Sequence, residues 1–207
     1  MASRKMGEVP ALDWSSIADA NSATVLDAAR IYVDLGLHPI AMHGIGPDGN
    51  CTCGKAHPAK EHPDGTLSCS AGKHPLSGRW QVGGCALEVL ERQLHQAPDA
   101  NVAIRMGRQP NGAFLVALDR DGPHAVIAEL EAQHGRLPIT LTAKTARGRH
   151  FVYCWNERYP VPKNNVSKLA AHLDVRSEGG LIVVAPSRHF SGCQYRWVKA
   201  IEPVVFP

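Results

Sequence analysis

No apolar run in the sequence approaches the roughly 20 residues that a membrane-spanning helix needs. The first residues, MASRKMGEVPALDW, also lack the apolar middle region of a secretory signal. The expected setting is the cytoplasm. No G-x-x-x-x-G-K-[ST] stretch occurs, which excludes a P-loop nucleotide motor within this sequence. Internal repeats and low-complexity tracts are lacking too, so solenoids and linker-like chains are set aside. Nor is there a strong charge imbalance: the formal net charge is +3 and the isoelectric point about 8.6. A balance this mild neither demands nor forbids a polyanionic partner, and any basic groove has to come from local clustering.

What remains is a chain of 207 residues with a hydrophobic share of 44%, enough for one large domain, or one domain with a small insert. It holds six cysteines. In a cytosolic protein these argue against a disulfide framework and for metal binding. Cys51, Cys53 and Cys69 share one short stretch, whereas Cys85, Cys154 and Cys193 are scattered and read as small apolar residues.

Residues 1–22 are polar and aperiodic, and the expectation is a flexible N-terminal arm with at most a short helical turn. The main domain then covers 23–207. Thr24 can cap a helix over VLDAARIYVDLG, with Val25, Ala28, Ala29, Tyr32 and Val33 on one face and Gly36 as its stop. LHPIAM (37–42) reads as a buried strand, ALEVLERQLHQAP (86–98) as an amphipathic helix and NVAIRMG (101–107) as a strand. AFLVALDRD (113–121) is an apolar strand ending in charge, and Pro123 can open a helix that closes at Gly135. TLTAKTARGRHFVYCW (140–155) reads as two strands about a turn at Arg147–Gly148. KLAAHLDVR (168–176) ends in a strand, LIVVAP (181–186) is another, and QYRWV (194–198) a last one. The layout predicts an α+β fold with a mixed or antiparallel sheet covered by helices.

Asp119 and Asp121 stand two apart on the expected strand, so their carboxylates share one face and Arg120 points to the other. Like charges this close gain from sharing a divalent cation, and paired carboxylates on a rigid strand are how two-metal phosphoryl-transfer sites hold Mg²⁺ or Mn²⁺. The plainer reading is a solvated strand end leading into an Asp-Gly-Pro turn. His150 opens an apolar strand after the Arg147–Gly148–Arg149 turn, whose arginines and backbone N–H groups suit a triphosphate. Alternatively it is a half-buried structural histidine. Asp174 lies within an apolar strand just before Arg176: either a third metal ligand or simply that arginine's ion-pair partner.

Residues 44–78 are rich in Gly, Pro, His and Cys and cannot build an apolar core, so a metal is the expected staple. Cys51, Cys53 and Cys69 with one histidine make a tetrahedral Cys₃His zinc site, and His74, His57 and His62 compete for the fourth place. A closed site of this kind is structural rather than catalytic. Lys55, Lys60, Lys73, Arg79, Lys163, Lys168 and Arg188 are candidates for contacts to DNA phosphates, against the plainer reading as solvated surface. Trp80 either stacks on a base or packs in the core.

The segments KHPLSGRW (73–80), NVAIRMG (101–107), LVALDRDG (115–122), LP-T-TAKTARGRHFVY (137–153) and LDVRSEGGLIVVAPSRHFSGCQYRW (173–197), in this order, resemble the prim-pol domains of the archaeo-eukaryotic primase superfamily found in plasmid and phage replication proteins. The likeness runs from about residue 24 to residue 198. It implies an RRM-like sheet core with flanking helices and a small zinc-binding insert. It implies Asp119, Asp121 and Asp174 as ligands of catalytic Mg²⁺ or Mn²⁺, and His150 with Arg149 on the nucleotide's phosphates. Arg176 and the Gly179–Gly180 turn would line the same nucleotide pocket, with Arg147 and Gly148 beside them. Some phage members resemble the C-x-C…C…G-K-H-P pattern, which favours His74 beside Cys51, Cys53 and Cys69 as zinc ligands. Here Gly148 replaces the usual small Ser-type residue two before the histidine, the turn is one residue shorter, and Ser177 replaces a common Gly.

The implied activity is template-dependent nucleotidyl transfer, as a DNA primase, a DNA polymerase or both, in plasmid- or phage-type replication or repair. Single-stranded DNA and NTPs or dNTPs would be the substrates. A helicase, in cis or in trans, would be a partner, since many relatives carry one. Two other classes compete: a zinc-stabilised, non-catalytic module binding single-stranded or origin DNA, and a metal-dependent nuclease.

Overall fold

A computed structural model describes residues 12–61, 65, 67–78, 80–81, 86–122 and 125–207. The expectations placed on residues 1–11, His62, Arg79, Cys85 and Pro123 fall outside the described residues. The fold is α+β, with mostly antiparallel sheets and four helices among those residues.

Trp14–Asn21 forms a 3-10 helix, where a loose arm was expected. Its Trp14, Ile17 and Ala20 recur at a spacing of three, which places them on one face of such a helix, and all three are buried. Asn21 then clasps the far end of the chain: its amide donates to the Trp197 carbonyl at 3.0 Å and accepts from the Trp197 N–H at 2.7 Å. Helix α1 (Val25–Asp34) starts where Thr24 Oγ1 accepts from the Asp27 N–H at 3.1 Å. It ends before Gly36, whose φ of +65° favours glycine. The α1 face buries Ala28, Ala29 and Tyr32, with Val25 and Val33 half-buried. Tyr32 donates to the Ala185 carbonyl at 2.6 Å and accepts from the Trp197 indole at 2.8 Å, so the polar tip of this core residue is satisfied.

The strands are β1 (Pro39–Met42), β2 (Lys60–Glu61), β3 (Leu67–Ser68), β4 (Asn101–Arg105), β5 (Gly107–Arg108), β6 (Phe114–Asp121), β7 (Leu141–Lys144), β8 (Gly148–Cys154), β9 (Asn165–Ala170), β10 (Leu173–Arg176), β11 (Leu181–Val183) and β12 (Arg196–Lys199). Helices α2 (Leu87–Gln96) and α3 (Ala125–His134) complete the framework. The larger sheet runs β12-β7-β8-β6-β10-β9, with β5 also on β6. A smaller sheet runs β1-β4-β11, and β2 with β3 forms a short ribbon in the insert. The smaller sheet and β9 had no counterpart as separate features in the sequence reading.

Strand β6 is central, and its two faces meet two cores. Phe114, Val116 and Leu118 pack beneath α3 with Ile127, Tyr153, Leu173 and Val175. Leu115 and Ala117 face the main core with Leu141, Ala143, Val152, Ile104, Ile182 and Tyr32. The next two side chains on that second face are Asp119 and Asp121. The apolar-to-acidic change along one strand face therefore marks where the core ends and a cleft begins.

Candidate active site

Strand pairing assembles the site. On one side of Asp119, β8 places His150 directly opposite; on the other, β10 places Asp174 directly opposite. His150, Asp119 and Asp174 thus form a row across three adjacent strands, each step about 4.8 Å. Side chains directly opposite in a ladder share a face, so all three point into the cleft. His150 Nε2 lies 3.3 Å from an Asp119 carboxylate oxygen, and both are largely buried. Asp121 is two further along β6 and pairs with Arg147. Arg176, two along from Asp174 on β10, donates to it at 2.6 Å and brings its Nε within 3.8 Å of Asp119. The other Asp174 oxygen accepts the Ser167 N–H at 2.9 Å.

Electrostatics separates the two β6 carboxylates. Burial by itself would raise Asp119, but His150, Arg176 and Lys73 outweigh it and hold the group below the ordinary carboxylate value. Burial and the Asp119 charge push Asp121 the other way, against partial relief from Arg147, Lys73 and His150. Two oxygen-donor carboxylates on one rigid strand, one of them disfavoured as a lone anion, fit a hard divalent cation such as Mg²⁺ or Mn²⁺. Asp174 fits less directly. Both its oxygens are engaged by Arg176 and Ser167, and the three carboxylates do not gather into a single cluster among the described residues.

Of the expected nucleotide contacts, Arg147, His150 and Arg176 line a cleft of about 680 Å³ together with Asp119, Asp121 and Asp174. Arg149 does not. It neighbours His150 on a strand, so the pleat sends it to the other face, where it stands opposite Arg120. The turn amides differ from expectation as well. The Arg147 and Gly148 N–H groups both donate to Thr145 Oγ1, at 3.3 and 2.9 Å, and so are already engaged. Gly148 serves packing instead: a Cβ there would come within 1.7 Å of the Arg120 carbonyl oxygen. Asn164 holds the turn after β10, accepting from the Ser177 N–H at 2.7 Å and donating to the Glu178 carbonyl at 2.6 Å.

Three cleft residues escaped the sequence reading as part of this site. Lys73 enters from the insert; burial lowers its pKa, Arg147 adds to that, and Asp121 and Asp119 oppose it. Tyr195 is buried, stacks at 29° to the His150 ring with a centroid distance of 6.1 Å, and has its phenol pushed up by burial and by both β6 carboxylates. His189 is buried beside it, and burial with the Lys73 and Arg147 charges brings it down to about 4, so its ring is neutral near pH 7. Lys73 was read only as a DNA contact. The one available signal was its place next to a candidate metal ligand, which fixes its backbone. Tyr195 and His189 carry no spacing signal. Trp80 is half-buried, packs against the cluster of Ile40, Met42, Ala103, Val183 and Tyr195, and lines the same cleft.

The insert gathers Cys51, Cys53, His57 and His74, with their ligand atoms all within 4.8 Å of one another. His57 replaces Cys69 in the expected set. His57 Nε2 lies 3.0 Å from Cys53 Sγ and 3.1 Å from His74 Nε2, whereas the Cys69 thiol donates to the His57 carbonyl at 3.0 Å. Proximity to His57 lowers the Cys53 thiol to about 7, and burial raises Cys51. A Cys₂His₂ set of nitrogen and sulfur donors at this spacing suits tetrahedral zinc. Among the described residues, no helix is long and apolar enough to cross a membrane.

Residues 29–207 match the family model described as "Bifunctional DNA primase/polymerase, N-terminal" (Prim-Pol). No curated protein matches the chain.

Proposed function

The chain belongs to the Prim-Pol family of bifunctional DNA primase/polymerase N-terminal domains, and on that premise we propose that it joins nucleotides along a single-stranded DNA template. The observation that carries this reading is the row His150–Asp119–Asp174, flanked by Asp121, lining one cleft. We read the larger sheet with its helices as the RRM-like catalytic core of the family. Asp119 and Asp121 would hold Mg²⁺ or Mn²⁺, with Asp174 as a third ligand once Arg176 turns from it. Such ions, when bound, supply activation of a 3′-hydroxyl and neutralise charge on the phosphates. The chain's own residues do the positioning. Arg147, Lys73 and Arg176 give the cleft wall three cations for the triphosphate of an NTP or dNTP. His150, held by Asp119 and backed by Tyr195, presents its ring to the same phosphates. Cys51, Cys53, His57 and His74 would hold zinc, which would fix the insert that brings Lys73 to the cleft. The biological setting is plasmid- or phage-type replication or repair in the cytoplasm, with a helicase in cis or in trans.

Primer extension tests the reading: labelled nucleotides, single-stranded templates and Mn²⁺ or Mg²⁺, with and without an annealed primer. Metal-dependent lengthening supports it, and products without a primer identify priming. Shortened template strands would replace it with a nuclease. No products on any template, with DNA binding retained, would replace it with a binding module.

Lys73 gives a narrower prediction. A hydrogen bond to a charged group contributes roughly 1.5–3 kcal/mol, so Lys73→Ala should raise the nucleotide KM about tenfold to a hundredfold while kcat changes less. An unchanged KM in steady-state kinetics would remove Lys73 from the nucleotide site.

A further inference from the structure

The face of the larger sheet opposite the cleft carries a second arrangement. Strand register sets Arg196 of β12 opposite Lys144 of β7, Lys144 opposite Arg149 of β8, and Arg149 opposite Arg120 of β6. Residues directly opposite share a face, so four cations form one row across four adjacent strands. The same registers place Thr142, Phe151 and Leu118 in the next row, on the α3 side. On β10 the row ends at Leu173, a core residue.

Like charges directly opposite in a sheet are destabilising. Among the described residues none of the four makes an ion pair with a carboxylate. Lys144, Arg149 and Arg196 are exposed. Arg120 is 7% exposed, its Nε is buried without a hydrogen-bond partner, and burial together with the Arg149 charge lowers its pKa. A buried guanidinium left short of an acceptor, at the inner end of a row of uncompensated cations, is poised for an anion from outside the chain.

We propose that this row, Arg196–Lys144–Arg149–Arg120, is a second DNA-binding surface that takes the phosphate backbone of a single strand on the sheet face opposite the active site. Four strands at about 4.8 Å spacing give a track of roughly 14 Å, long enough to touch several successive phosphates of one strand. The track is one side chain wide, which suits one backbone rather than the two of a duplex. It begins at β12, the edge of the sheet, and ends at β6, where Asp119 lies on the other face of the same strand. The identity of the polyanion rests on the reading of the chain as a DNA-copying enzyme; the row itself does not.

The test measures binding of a labelled single-stranded oligonucleotide across a salt series, without nucleotide or divalent metal, so that it does not depend on catalysis. The full chain is compared with a Lys144→Ala/Arg149→Ala/Arg196→Ala variant, which spares buried Arg120. The log–log salt slope changes by about 0.7 per single-strand phosphate contact, so losing three contacts should flatten it by about 2 and weaken binding at least tenfold at moderate salt. A Lys144→Arg/Arg149→Lys/Arg196→Lys variant should keep both affinity and slope. Unchanged affinity and slope in the alanine variant overturn the proposal, as does an equal loss in the charge-conserving variant, which would assign the effect to damaged packing. A loss seen only with duplex DNA also overturns it. Failure of the catalytic reading looks different: the unmodified chain would bind DNA with the full slope yet yield no metal-dependent products.

Discussion

Asp119→Asn should abolish nucleotide incorporation while leaving a folded protein. This carboxylate is reached by His150 at 3.3 Å, by Arg176 at 3.8 Å and by the Lys73 charge. Removing a single preorganised electrostatic group from an active site costs roughly 10²–10³ in rate. A residue that would bind metal and also orient His150 stands at or above the upper end, so a loss of about a thousandfold or more is expected in single-turnover extension. Nothing comparable is expected at Arg149, which faces away from the cleft. Asp121→Asn should lose activity too, but with a distinguishing effect on stability. The folded-state pKa of Asp121 is raised, so its ionised form weakens the metal-free fold above that pKa, and the penalty fades as pH falls through it. The metal-free Asp121→Asn protein should therefore melt no lower than the parent near neutral pH, and lose that advantage in acid. For Asp119 the sign is opposite: its depressed pKa contributes stability at neutral pH that is lost as pH falls through the folded value. Melting curves of the two variants against pH, in chelator, would separate these roles. Wild-type turnover in Asp119→Asn would end its assignment to the site.

The alternation of a strand made half of this site legible in advance. An apolar run ending in Asp-Arg-Asp has to place two carboxylates on one face, and β6 does so. The same rule, applied two strands later, would have set Arg149 apart from His150; taking Arg147–Gly148–Arg149 as one phosphate-binding turn, with the resemblance to a known motif behind it, put the arginine in the pocket against the pleat. What alternation cannot supply is register. That His150 and Asp174 both fall opposite Asp119 depends on how β8 and β10 pair with β6, and single-strand patterns do not encode a partner. The row of cations on the reverse face was hidden for the same reason, because its four members come from four segments. Trp14 and Ile17 were read as part of a loose arm because a spacing of three over one short stretch is weak against polar neighbours. The buried position of the segment comes from its long-range clasp on Trp197. In the insert, composition pointed to a metal, but C-x-C spacing with several nearby histidines leaves the ligand set open. His57, four residues after Cys53, reaches the cluster, and Cys69 turns its thiol to a backbone carbonyl instead.

That exchange of ligands leads to the second large expected effect. The described residues of 44–78 bury little apolar material: Cys51 and Ala71 are core members, Leu76 packs partly buried on the main core, and β2 and β3 are exposed or half-buried. Besides Leu76 and the Met42–Pro75 bridge, the ties from the stretch to the body include the His43 N–H to the His74 carbonyl at 2.7 Å and the Asn101 amide to the Gly72 carbonyl at 3.0 Å. Zinc at a structural site contributes apparent binding free energies of about 10–16 kcal/mol in small zinc-finger peptides, far more than such contacts supply. Stripping the metal with a chelator should therefore open this stretch first, read as limited proteolysis within 44–78 while the sheet core resists. Lys73 adjoins His74, so the same treatment should raise the nucleotide KM by about the factor seen with Lys73→Ala, although no carboxylate ligand has been touched. Zinc content of purified variants then identifies the ligands. Cys51→Ser, Cys53→Ser, His57→Ala and His74→Ala should each lose the ion, and Cys69→Ser should retain one equivalent. Retention in His57→Ala with loss in Cys69→Ser would restore the Cys₃His set and mean that the two side chains exchange places when zinc binds. An unchanged KM after complete removal of the metal would uncouple the insert from the active site and leave Lys73 oriented by the sheet alone.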